Sequence, residues 1–336
     1  MGASRRFSTA FRGCLMPSKA RRTMTAADHL KLAAIGLHVG AAGAIVLHGA
    51  VLAGGRQFRA AKQAVWRGLR LLAAVVVLEA AVFSYARLIE PNWIVVRHLQ
   101  VRHEALAEAL GSTRLVHLTD LHTERLGWRE RRLVQLANRE QPEWIVITGD
   151  FVNDAQGWPA ALEVIRQLQA ARGIVAVPGN TDNHFLTPRQ FDEDLQAIGV
   201  KVLRNAAVPL GATGAWLVGV DDPVNRQDRL KLALRGVPGS GTSAQPPVIL
   251  LAHSPDIMPD AVAAEIPLVL VGHTHGGQIG IPWLIRFSSY ANRGRHILGG
   301  LYHDGPTQLY LNRGIGSKVM PYRLLAPPEI TVISFE

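Results

Sequence analysis

Two histidines one residue apart, His273 and His275, follow an unbroken run of leucine and valine at 268–271 and precede a glycine pair. Four such residues in a row read as a strand buried on both faces, and alternate positions of an extended chain point the same way. The two imidazoles can therefore converge on one point, while the glycines let backbone approach whatever sits there. The arrangement recurs along the chain. RLVHL at 114–118 runs into Thr119, Asp120, Leu121 and His122; WIVIT at 144–148 runs into Gly149 and Asp150. GIVAV at 173–177 leads to Pro178, Gly179 and Asn180, and VILLA at 248–252 to His253. Turns are rich in Asp and Asn, so one such ending carries no message. Five of them, with four histidines among the endings, do, because ligands gather at the carboxyl ends of strands in open α/β sheets.

Nitrogen and oxygen donors without thiolate suit zinc, manganese or iron, and seven donors exceed what one ion with an open position takes. Two divalent ions fit the set better. A pair about 3.5 to 4 Å apart clamps the attacking and leaving oxygens of an in-line displacement and lowers the pKa of bound water toward roughly 7. The expected chemistry is phosphoester hydrolysis. The single cysteine, Cys14, lies in a basic tail and permits neither an intrachain disulfide nor a thiolate cluster.

The elements that must carry these residues alternate short apolar runs with helical patterns from residue 113 onward, the signature of a layered α/β domain. Helices are expected at 128–140, over ALEVIRQLQA at 161–170, at about 188–198 and near 226–235; further strands are expected at KVL and WLVGV. A Gly/Ser/Pro loop fills 236–247.

The formal charge of +10 belongs to the first third of the chain: residues 1–112 hold 15 Lys/Arg and 5 Asp/Glu, whereas residues 113–336 hold 21 of each. That first third also contains two apolar runs, at 32–53 and from 71 to 86, the second extendable to about residue 89 through LIEPNWIVV. The first is long enough to span a bilayer. Arginines beside apolar spans match lipid headgroups, so the basicity points to a membrane and not to nucleic acid. The expected organisation is a basic tail at 1–30, a membrane-anchoring region at 31–90 with transmembrane helices 32–53 and 71–89, and a catalytic domain at 91–336. The basic tail and the basic connection at 56–70 compete for the cytoplasm, and a start at Met24 would place the domain outside. The expected location is the inner (plasma) membrane, with the catalytic domain on the cytoplasmic side favoured. No protein partner is inferred.

The ordered blocks TDLH, TGD, GN, AHSPD and GHTHGGQ resemble those of the calcineurin-like metallophosphoesterases, over about residues 94–336 with the later NRGIG at 312–316 and PPEITVI at 327–333. They look most like the bacterial membrane-associated branch, which includes enzymes acting on UDP-2,3-diacylglucosamine in lipid A biosynthesis. The resemblance implies a fold of two packed β-sheets flanked by helices, an αββα sandwich. It also implies that Asp120, His122 and His275 bind one metal ion, that Asn180, His253 and His273 bind another, and that Asp150 bridges them. The third block departs from the usual GNHD or GNHE: it reads GNTDNH, with Thr181 in place of a histidine expected to donate to phosphate and leaving group. A threonine hydroxyl still donates to a phosphoryl oxygen but is a far poorer acid, which favours a good leaving group such as a nucleotide phosphate. His184 either substitutes as donor or is a surface histidine. Asp182 is expected to orient a ligand, and Arg313 either contacts phosphate or ties down the C-terminal loop. The functions to be separated are a phosphoesterase acting on a membrane lipid, an outward-facing envelope phosphodiesterase, and a catalytically silent metal-binding membrane scaffold.

Overall fold

The computed structural model describes residues 55–242, 244–281, 298–318 and 320–336. The tail at 1–30 with Cys14 and the apolar run at 32–53 lie outside them. The chain divides into two units, 1–80 and 81–336. Helix α1, Gly55–Ser84, is continued by a π turn at Tyr85–Ile89 and a 3-10 turn at Glu90–Asn92. It begins well before the apolar run because the Arg, Lys, Gln and Ala residues of the connection are good helix formers. Between Arg59 and Asn92 it is long and apolar enough to cross a membrane. It carries exposed Leu71, Val75, Val76, Val77, Leu78, Val82 and Phe83. The span runs past Arg87 into LIEPNWIVV and ends at Asn92, and Val95 already opens a strand. Pro91 lacks a backbone donor, and the buried Glu90 carboxylate accepts the backbone N–H groups of Leu325 (3.0 Å) and Ala326 (2.6 Å), contacts that lie within the second unit.

The strands of the second unit are β1 (Val95–Val101), β2 (Leu115–Leu118), β3 (Trp144–Thr148), β4 (Gly173–Val177), β5 (Val200–Val202), β6 (Ala206–Pro209) and β7 (Trp216–Gly219), then β8 (Val248–Leu251), β9 (Leu268–Val271), β10 (Gly300–Asp304), β11 (Thr307–Leu311) and β12 (Glu329–Phe335). Its helices are α2 (Glu104–Leu110), α3 (Trp128–Arg139), α4 (Trp158–Arg166), α5 (Asn180–Phe185), α6 (Pro188–Ala197), α7 (Leu230–Leu234) and α8 (Met258–Ala263). Two six-stranded sheets result, ordered β1-β12-β2-β3-β4-β5 and β10-β11-β9-β8-β7-β6. Within the first, β2 to β5 run parallel; within the second, β7, β8, β9 and β11 do. Both sheets are mixed, since β12 runs antiparallel to β2, β6 to β7 and β10 to β11.

Period-2 alternation of side chains sorts the apolar residues into three layers. Val116, Leu118, Ile145 and Ile147 pack under Leu133 and Ala137 of α3, Ala161 and Ile165 of α4, and Phe191 and Leu195 of α6. Their alternates Leu115, Val146, Val175 and Val177 face Leu217, Ile249, Leu251, Leu268 and Leu270 across the gap between the sheets. The outer face of the second sheet, with Val248, Leu250, Val269 and Val271, is covered by α7 and α8. The chain is therefore two mixed sheets flanked by helices, as expected.

Most expected elements are present within a residue or two; ALEVIRQLQA instead forms α4 three residues earlier, and the helix near 226–235 shrinks to Leu230–Leu234. Strands β1, β6, β10, β11 and β12 and helices α2, α5 and α8 had no expectation. GLYHD is half-buried and polar, AAVP is four residues ending in proline, and α5 opens on the site residues Asn180, Thr181 and Asp182, so none shows a clean period.

Candidate metal centre

The C-terminal ends of β2, β3, β4, β8 and β9 meet at one place where the two sheets come together. Asp120, His122 and His275 form one buried cluster, and Asp150, His253 and His273 a second. In the first, His122 Nε2 lies 3.1 Å from His275 Nε2, and Asp120 Oδ1 lies 3.2 Å from His275 Nε2 and 3.8 Å from His122 Nε2. In the second, His253 Nε2 lies 3.3 Å from Asp150 Oδ1, 3.2 Å from His273 Nδ1 and 3.1 Å from the Asn180 side-chain oxygen. Asp150 faces both clusters, because its other oxygen, Oδ2, is 3.5 Å from His122 Nε2. All seven donors expected from the sequence are thus brought together.

Whether this set fits divalent cations can be judged from its unsatisfied atoms. Asp120 Oδ1 and Asp150 Oδ2 are buried with no hydrogen-bond partner. Buried polar atoms are normally paired, so two bare carboxylate oxygens facing clustered imidazole nitrogens fit a cation site. Burial lowers the pKa of His122 to about 4 and of His273 to about 3, keeping their lone pairs available. His253 differs: burial opposes its charge, but the Asp150 carboxylate outweighs this and lifts it to about 10. Its Nδ1 donates to the Thr148 carbonyl (2.8 Å), so proton and cation compete for Nε2.

Backbone geometry builds the convergence. Asp120, His122, Asp150, His273 and His275 all have positive φ, between 42° and 76°, a region that side-chain-bearing residues rarely enter and that clusters at functional sites. Gly272 permits the closest approach, since a Cβ there would overlap Thr119 and the Asp120 carboxylate. The His273 N–H and the Thr119 hydroxyl each donate to Asp120 Oδ2 at 2.8 Å, which turns Oδ1 inward.

Asp182 is buried beside the site and acts on its backbone. Its Oδ2 accepts from Asp150 N (2.8 Å) and Gly179 N (2.9 Å), and its Oδ1 from Phe151 N (2.9 Å). Burial and the neighbouring Asp150 charge push its pKa up to about 7 against these three donors. The Asp182→Asn substitution places an amide N–H against a backbone N–H and is expected to weaken divalent-ion affinity about 10- to 100-fold, the usual effect of losing an outer partner of a metal ligand. Manganese titration by isothermal calorimetry checks this, and an unchanged affinity would remove Asp182 from the support of the site.

Other expected residues fall differently. Thr181 donates its N–H to Asp150 Oδ1 (2.8 Å), and its hydroxyl is buried without a hydrogen-bond partner. His184 is exposed, with its ring against Phe185. The Arg313 side chain packs over Gly276 and Gly299. Asp221 and Asp222, for which no role is expected, are engaged elsewhere: Asp221 pairs with Arg204 at 2.7 Å, and Asp222 accepts from the backbone of Val224 and Asn225. Three residues without a sequence expectation stand close to the centre: Lys318, Gln278 and Arg323. Lys318 Nζ is 3.7 Å from Asp150 Oδ2. Gln278 had the only legible signal, as the last residue of GHTHGGQ.

Two mixed sheets carrying paired Asp/His clusters at their shared strand ends define a metal-dependent phosphoesterase. Residues 113–277 match the family described as Calcineurin-like phosphoesterase, so this part of the chain is a calcineurin-like phosphoesterase domain. It is 29% identical over 274 residues to the uncharacterized metallophosphoesterase YkuE of Bacillus subtilis, covering 79% of this chain and 93% of that protein. It is 27% identical over 276 residues to the phosphodiesterase YaeI of Escherichia coli, covering 80% of this chain and 97% of that one. A zebrafish transmembrane protein with a metallophosphoesterase domain is 29% identical over 296 residues, 82% of this chain, which spans 65% of that relative's length.

Proposed function

We propose that the chain is a membrane-anchored phosphodiesterase whose substrate lies at the bilayer surface, a lipid-linked pyrophosphate of the UDP-2,3-diacylglucosamine type. The supporting observation is a cavity of about 330 Å³ that runs from Arg87, Pro91 and Asn92, at the end of the apolar helix, to His122, Asn153 and Ser317 beside the metal centre. Its volume is at the small end for ligand sites, which suits a headgroup and leaves acyl chains to the bilayer. Trp128, 61% exposed on its rim, offers a flat face to a base or sugar. Arg87 and Arg125 line it and suit a flanking phosphate; Arg129 is already paired with Glu130 at 2.7 Å.

In this reading Asp120, His122 and His275 hold one divalent ion, Asn180, His253 and His273 a second, and Asp150 lies between, the ions being manganese, zinc or iron. Such ions supply Lewis-acid stabilisation and a nucleophilic water at neutral pH when bound. The chain itself fixes the ligands, through Asp182 behind Asp150 and the Thr148 carbonyl behind His253. It offers only a hydroxyl at Thr181, so the leaving group must depart as a weakly basic anion, which a nucleotide phosphate does.

Phosphorus NMR of UDP-2,3-diacylglucosamine with the full-length protein and manganese, beside a chelated control, is the direct test. The expected result is UMP and the lipid monophosphate in the first sample alone. An unchanged spectrum, with an activated aryl phosphodiester still hydrolysed, would retire that substrate.

A further inference from the structure

We infer that Lys318 and Thr181 together form a binding site for the non-bridging oxygens of the phosphoryl group, replacing the donor that the third block lacks. The inference rests on the phosphoesterase reading and concerns how its substrate is held.

Three observations place an ammonium where a phosphoryl group would need one. Lys318 Nζ is 3.7 Å from Asp150 Oδ2 and 3.0 Å from the nearer atom of the Asn180 amide, between the two clusters, with the side chain only 25% exposed. Thr181, adjacent to Asn180, is 5% exposed, and its hydroxyl has no hydrogen-bond partner although its N–H is committed to Asp150. The segment bearing Lys318 is held from both sides: its own N–H donates to Gln278 Oε1 at 2.7 Å, and the Ser317 carbonyl accepts from Asn153 Nδ2 at 3.1 Å. The Gln278 amide also donates to the Met320 carbonyl at 3.0 Å, so one side chain from GHTHGGQ fixes the loop on either side of the lysine.

The Asn180 amide decides what the ammonium is for. Its oxygen can face His253 and His273, or it can accept from Lys318, but it cannot do both. When the oxygen is given to a divalent ion, the amide N–H₂ turns toward Lys318, and two donors then face each other. Asp150 is shared in the same way. The loaded centre therefore leaves the ammonium without its protein acceptors and open to a new anionic one. A phosphoryl oxygen supplies it, with the idle Thr181 hydroxyl as second donor. A fixed ammonium aimed at developing phosphoryl charge stabilises the transition state more than the ground state.

The test uses the full-length protein in detergent with manganese and bis(p-nitrophenyl) phosphate, and compares wild type with Lys318→Met, Lys318→Arg and the double variant Lys318→Met, Thr181→His. Hydrolysis by wild type is the check on the phosphoesterase reading itself; its absence would sink that reading and this one with it. Given that activity, Lys318→Met is expected to lose about a hundredfold in kcat/KM, the usual size for one preorganised donor. Its inhibition by inorganic phosphate should weaken about tenfold while bound manganese stays unchanged. Lys318→Arg should keep most of both properties, and the added imidazole should restore part of the loss. Unchanged phosphate inhibition in Lys318→Met would overturn the inference. So would full activity with tighter manganese binding, since the ammonium would then be only a competitor of the cation, and so would loss of manganese, since the lysine would then serve the metal site's structure.

Discussion

Asp150→Asn is expected to lower kcat/KM at least about a thousandfold, roughly 4 kcal/mol of transition-state stabilisation. The argument lies in how its two oxygens are used. Oδ2 faces His122 of the first cluster at 3.5 Å; Oδ1 faces His253 of the second at 3.3 Å and also accepts the Thr181 N–H at 2.8 Å. An asparagine has one oxygen and one N–H₂ group, so either orientation turns a donor toward a cation site. With the oxygen toward His122, the N–H₂ also opposes the Thr181 N–H; reversed, it faces the first cluster. The charge lost is one that both clusters share: His253 and His122 together hold the Asp150 carboxyl well below its ordinary pKa even though burial works against ionisation. Metal content by mass spectrometry should fall with the rate. A variant that keeps both its ions and activity within about tenfold would show that the acceleration does not pass through this carboxylate.

The same residue shows why so much of the site could be read from sequence. A ligand at the end of a buried strand leaves a local mark, because four or five apolar residues are followed at once by a donor, and His273 and His275 share a direction through the strand period alone. Assigning the donors to two clusters required the family resemblance, and the geometry then brought the same groups together. What sequence did not carry was fixed by long-range contacts. Lys318 and Arg323 lie in an aperiodic loop after β11 and acquire meaning only from Gln278 and from carbonyls that the fold brings to them. The left-handed backbone at five of the donors is likewise invisible, since Asp and His give no sign of φ. Topology was hidden for a similar reason. β12 lies between β1 and β2, a pairing across most of the chain that no local pattern encodes.

Arg323→Met is expected to destabilise the second unit by about 3 to 5 kcal/mol, the range for stripping a buried charged partner from its hydrogen bonds. Arg323 is fully buried, and its guanidinium makes five hydrogen bonds to the carbonyls of Arg313, Gly314, Gly316 and Ala326. Burial pulls its pKa down to about 9, so it stays charged at neutral pH. A methionine fills the space but leaves the Arg313, Gly316 and Ala326 carbonyls with no donor, Gly314 keeping the Glu329 N–H. A lysine restores the charge without the planar fork, so Arg323→Lys should recover less than half of the loss. The consequence reaches the metal centre through the loop these carbonyls belong to. The Gly316 N–H donates to the Asp120 carbonyl at 2.7 Å, and the Ile315 N–H to the Thr119 carbonyl at 3.2 Å. It also reaches the end of the apolar helix, because the Arg323 N–H donates to the Ala86 carbonyl at 2.9 Å while Glu90 holds Leu325 and Ala326. One residue thus ties the helix end, through its backbone N–H, to the loop that its guanidinium holds against the strand end carrying Asp120 and His122. Thermal denaturation should show the methionine variant melting about 10 °C lower, and a shift under about 2 °C would mean that the loop holds itself. Manganese should narrow the gap, because the ion draws together the same ligands that the guanidinium supports from behind.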